Sequence, residues 1–118
     1  MDVVDKMKII KLENNVLAVL KEVENVDDKI LKANDVDAAF EKHVPQIERK
    51  DNRLIITVNH VMEDDHYIEW LMVDYGDKQI IKHFNPGDEP KLDVGAADNI
   101  KAYSYCNKHS LWMSELKK

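Results

Sequence analysis

An antiparallel β-sandwich or barrel is the fold class that this sequence predicts, on three observations. Short apolar or alternating runs recur at close spacing from residue 53 onward. Glycine and proline fall mainly between those runs. Helical periodicity is scarce over the same stretch.

The elements follow in order. Residues 1–36 form a short segment of their own. Within it, "MKIIKLENNVLAVLKEVEN" carries two apolar runs, Ile9-Ile10 and Val16 to Leu20, on either side of Asn14-Asn15. Asparagine pairs favour turns, so a hairpin is the first expectation and a short helix over Val16–Val23 the alternative. This piece is too small to bury much alone and must lean on the rest or on a partner chain. Residues 37–118 form the main domain. "RLIITV" is an apolar, β-branched run. "YIEWLMVDY" and "QIIKHF" read as two strands joined at Gly76-Asp77, a hairpin turn. In "NPGD", Pro86 and Gly87 suit the central positions of a type II turn. "KLDV" and "IKAYSY" complete the strands.

Composition narrows the function. Charged residues make up 34% of the 118, and the formal net charge is -6. Such a surface favours solubility and repels the phosphates of nucleic acid. No apolar run approaches the roughly 18 residues of a membrane span. "MDVVDKMKII" lacks the basic-then-apolar pattern of a secretory signal. The single cysteine, Cys106, cannot close an internal disulfide. A reducing, cytoplasmic setting is expected, and the thiol is available for chemistry.

The chemistry-bearing residues are His43, His60, His66, His83, His109 and Cys106. Thiolate and imidazole together suit zinc, copper or iron. In "CNKHSLW", one turn of chain brings Cys106 and His109 to a common ion. His60 and His66 would lie roughly 20 Å apart in one extended strand. In a helix they would point to different faces. Both can bind one ion only if "VMEDD" folds back as a loop. The bland readings stand beside these: a lone histidine is commonly a surface residue, and Glu63-Asp64-Asp65 a solvated turn. Trp70 and Trp112 are commonly packing residues. The triplet Glu41-Lys42-His43 before Pro45 reads, by itself, as a charged loop.

"EKHVP", "HVMEDDHYIEW", "NPGDEP" and "YCNKHSLW" occur in that order and hold four of the histidines and the cysteine. Together they resemble the superoxide reductases, the desulfoferrodoxin and neelaredoxin family, from about Asn34 to Trp112. The resemblance implies an immunoglobulin-like β-sandwich with a short N-terminal extension. It implies one mononuclear iron, Fe2+/Fe3+, with His43, His60, His66 and His109 equatorial and Cys106 axial; His83 matches no ligand position. It implies one-electron reduction of superoxide to hydrogen peroxide, with rubredoxin as the expected electron donor. Neutral imidazoles favour the ferrous state and keep the potential within reach of a mild reductant. Glu41 would fill the sixth position in the oxidised resting state. Lys42 would attract superoxide and position water, reversing the repulsion of a net negative protein. Relatives form dimers or tetramers, so a homo-oligomer is expected. The alternatives are a non-catalytic iron or electron-transfer protein on the same scaffold, and a zinc-loaded interaction module.

The sequence departs from the family pattern in three places. The N-terminal stretch holds no cysteine, so it lacks the ligands of the desulforedoxin-like iron centre and reads as a vestige of that domain. Val61 stands where proline is frequent, which loosens the loop at His60. Lys108 and Ser110 replace the leucine and glycine of a common "CNLHGLW". If that glycine serves a positive φ, Ser110 requires a different backbone.

Overall fold

The computed structural model describes residues 8–11, 16–19, 31–35 and 42–117. The chain divides into two compact units, Met1–Lys32 and Ala33–Lys118. In the first, β1 (Lys8–Lys11) and β2 (Val16–Val19) pair antiparallel, Lys11 opposite Val16. This is the expected hairpin rather than the helix; Asn14-Asn15 lies outside the described residues.

The second unit is a sandwich of two antiparallel sheets. One has three strands in the order β3-β4-β7, from Gln46–Lys50, Arg53–Thr57 and Lys91–Gly95. The other has four in the order β6-β5-β8-β9, from Gln79–His83, Ile68–Asp74, Ile100–Cys106 and Ser110–Leu116. Among the described residues there is no α-helix, and no helix is long and apolar enough to cross a membrane.

Alternation builds the layers. In β4, Leu54 and Ile56 point inward and are fully buried, while Arg53 is exposed. They meet Leu92 and Val94 of β7 and, across the sandwich, Leu71 and Val73 of β5 and Ala102 of β8. Each such apolar side chain contributes about 1.5–3 kcal/mol on burial. β5 and β8 lie in the middle of their sheet, and in each of them six of seven residues are buried. The outer strand β3, "QIERK", keeps four of its five residues exposed and charged or polar. This composition discourages edge-to-edge association.

The turns follow the sequence expectations. Gly76 has φ 96, and the Tyr75 N–H donates to the Lys78 carbonyl at 2.9 Å. Positive φ at the first central position only is the II′ pattern. Gly87 has φ 89, and the Asp88 N–H donates to the Asn85 carbonyl at 3.0 Å, closing the type II turn. Two strands escaped the sequence reading. β3 was hidden in its charges, and β9, "SLWMSEL", in its mixed polarity.

Candidate metal centre

Four chain segments converge at one end of the sandwich. His43 comes from the turn before β3, His60 from the loop after β4, and His66 from the residues leading into β5. Cys106 ends β8, and His109 sits in the three-residue turn between β8 and β9. One donor atom from each of the five lies within 4.8 Å of every other. His83 ends edge strand β6 and takes no part.

The rings are ordered. Centroids of His43–His60, His60–His66, His66–His109 and His109–His43 are 4.8, 4.6, 5.1 and 4.8 Å apart, with interplanar angles between 65° and 87°. His43 and His66 lie across from one another at 6.5 Å. The imidazoles therefore form a closed circuit with their edges turned inward. The Cys106 thiol joins them, with Sγ 3.5 Å from His60 Nε2 and 3.9 Å from His109 Nδ1. Cys106 is fully buried, whereas His60, His66 and His109 are half-buried. His43 is buried like the thiol, so the cluster's exposure comes from the other three histidines.

Local structure aims each ring. The backbone of Glu63 exchanges two hydrogen bonds with that of His66, so "VMEDD" does fold back. The Ser104 hydroxyl donates to the His43 carbonyl and the Ser114 hydroxyl to the Pro45 carbonyl, each at 2.6 Å. The Trp112 ring stacks on His43 at 4.9 Å while its indole N–H donates to the His109 carbonyl at 2.9 Å. Trp112 thus packs in the core, as expected of a tryptophan, and also steadies two of the rings. These partners left no local signal in the sequence.

His60 Nδ1 faces the Val61 carbonyl, which can only accept. Nδ1 therefore carries the proton, and the Nε2 lone pair is presented toward Cys106. Proline at position 61 would offer the same carbonyl. Burial pulls the His60 imidazole down to about 4, against the hydrogen bond to Val61, and the neighbouring histidines add to the depression. Burial pushes the Cys106 thiol up, opposed by the backbone N–H groups of Lys108 and His109 directed at sulfur. Ser110 keeps a left-handed backbone, φ 65, where a different conformation was expected of a non-glycine residue. Ser110 is the first residue of β9 and pairs with Cys106, so the left-handed residue stands where the chain re-enters the sheet.

The cluster fits a resident metal. His66 Nε2 is buried with no hydrogen-bond partner. His43 Nε2 and His109 Nδ1 stand 3.0 Å apart. Imidazole and thiolate exclude the hard cations that take oxygen ligands. Five donors exceed the four of a structural zinc site. Lys42 is exposed and adjoins buried His43. Glu41 lies outside the described residues.

A β-sandwich with a four-histidine, one-cysteine cluster at one end is a protein built with a group that could hold a metal ion. The Desulfoferrodoxin family model matches residues 35–115. A desulfoferrodoxin homolog of Archaeoglobus fulgidus is 41% identical over 90 residues, covering 73% of this chain and 72% of its own. The desulfoferrodoxin of Syntrophotalea carbinolica is 40% identical over 90 residues, covering 73% and 71%. The chain belongs to the desulfoferrodoxin family. Among solved structures, the superoxide reductase of Treponema pallidum shares the fold at TM-score 0.66 and 23% identity, over 90% of this chain and 84% of that one. That of Nanoarchaeum equitans aligns at TM-score 0.53 and 26% identity, over 69% and 96%.

Proposed function

We propose that this chain is a superoxide reductase, with iron held by His43, His60, His66, His109 and Cys106. The observation that carries this reading is the convergence of five donors within 4.8 Å in a member of this family. When bound, ferrous iron would supply the single electron that, with two protons, turns superoxide into hydrogen peroxide. A donor such as rubredoxin would restore that electron.

The chain's own residues supply selection and charge. Metal binding takes imidazole in its neutral form, and burial holds His60 unprotonated well below neutral pH because it disfavours the cation. Cys106 enters as a thiolate, giving up its proton as metal binds. Lys42 counters the net charge of -6 at the point where an anion must arrive, and orders water for proton delivery. Glu41 closes the site in the oxidised resting state. The segment 1–36 serves packing or contact between copies, in a homo-oligomer. The lone cysteine and the need for a reduced donor favour the cytoplasm.

The test is product stoichiometry on the iron-loaded protein. One peroxide per superoxide consumed, with no dioxygen released, is the expected result. Dioxygen in equal amount would assign dismutation instead. Lys42→Ala should slow the encounter about tenfold or more and weaken its dependence on ionic strength. An unchanged, salt-independent rate would remove Lys42 from the account.

A further inference from the structure

Asn107 stands between the two ligands of the β8–β9 turn and binds the segment that carries a third. Its side-chain oxygen accepts from the Tyr67 N–H at 3.0 Å, and its own N–H donates to the Tyr67 carbonyl at 3.2 Å. Its side-chain amide donates to the Asp65 carbonyl at 3.0 Å. His66 is the residue between those two partners. The β5–β8 ladder pairs Ile68 with Cys106 and goes no further, and a bulge between Ile68 and Trp70 shifts the register. Asn107 continues the pairing past the ladder's end with one side chain and one backbone group.

Two further contacts set its importance. His66 gives its own N–H and carbonyl to Glu63, so its backbone is held from the other side as well. Among the described residues its ring Nε2 is the buried side-chain atom without a hydrogen-bond partner, so no hydrogen bond at that nitrogen fixes the ring. The neighbouring pair Lys108–Asp65 spans the same two loops at 3.7 Å, with side chains 51% and 83% exposed. An ion pair so exposed is worth little. Of the three Asn107 bonds, the one from the Tyr67 N–H is part-buried and the one to the Asp65 carbonyl is exposed; together they fix the backbone on both sides of His66, which a single exposed ion pair does not.

We propose that Asn107 is a positioning residue of the metal centre: it brackets His66 and sets that imidazole against the Cys106 sulfur. This rests on the five-ligand reading above. Outer partners of metal ligands typically control about 10- to 100-fold in affinity.

The experiment measures cobalt(II) affinity by chelator competition, together with the sulfur-to-cobalt absorption band. Asn107→Ala should bind cobalt(II) about 10- to 100-fold more weakly and shift that band. Asn107→Asp keeps the acceptor for Tyr67 and loses the donor to Asp65, so it should fall between alanine and wild type on both readouts. Lys108→Met should cost at most a few-fold. Wild-type affinity and spectrum in Asn107→Ala would overturn the proposal, as would an equal loss in Lys108→Met. Should the alanine variant fail to fold, Asn107→Asp decides: a shifted band and weaker binding support the role, and no change rejects it. Failure of the wild type to take up cobalt(II) would sink the five-ligand reading and this inference together. Uptake by wild type with unaltered variants sinks only the inference.

Discussion

The β5–β6 and β8–β9 hairpins belong to the same sheet, with their turns at opposite ends. The first is built by rule. Gly76 takes the positive φ, and the Asp74 carboxylate accepts from the Gly76 N–H and from the Gln79 side chain, each at 2.8 Å. The Tyr75 hydroxyl donates to the Gly95 carbonyl at 2.6 Å and ties the hairpin to β7. The second departs from rule. Ser110 takes a positive φ, Cys106 is buried beside titratable rings, and His109 turns inward. Of these two hairpins, the one that only connects places its positive φ on glycine, and the one that presents ligands places it on serine.

The contrast can be broken from either side. Cys106→Ser should lower metal affinity by at least about 100-fold, beyond what outer partners control, while the metal-free protein keeps its fold. Chelator competition and circular dichroism read the two parts separately. Gly76→Val should do the reverse. A β-branched residue at positive φ costs about 1–3 kcal/mol, visible as a lower urea midpoint, with metal affinity within about twofold. Equal effects of both substitutions on both readouts would dissolve the distinction between the turns.

Acid sharpens it further. In the metal-free protein burial holds His60 at about 4, against 6.5 in an unfolded chain. Between those values the unfolded chain binds a proton that the folded chain refuses. Stability is therefore full above 6.5 and lost as pH falls toward 4. Urea midpoints should drop across this window, and less steeply in His60→Gln. The smallest effect is expected of Ser110→Gly. Relief of about 1–2 kcal/mol of left-handed strain is offset by the entropy of a more flexible unfolded chain. A net gain of about 1 kcal/mol or less should appear as a slightly higher melting temperature. A loss of stability would show that the Ser110 side chain contributes more than its backbone costs.

How much of this was legible beforehand follows the same division. β4, β5 and β8 announced themselves through β-branched and aromatic runs, and the turns at Gly76 and Pro86-Gly87 through residue types with fixed φ preferences. β3 and β9 did not, since their partners in space, not their own patterns, make them strands. The five donors were individually weak signals. Only their order along the chain, matched to a family, singled out His43, His60, His66, Cys106 and His109 from His83. Their convergence depends on long-range pairing such as Ile68 with Cys106, which no local window contains. The supports from Ser104, Ser114, Trp112 and Asn107 were invisible for the same reason. A serine hydroxyl bound to a carbonyl 61 residues away leaves no mark on either neighbourhood.

The most direct test of the metal centre is iron content together with the visible spectrum of the oxidised protein, on wild type and Cys106→Ser. One iron per chain and a visible sulfur-to-iron band that disappears with Cys106 is the predicted result. A chain that retains no iron, or a band that survives the loss of that sulfur, would contradict it.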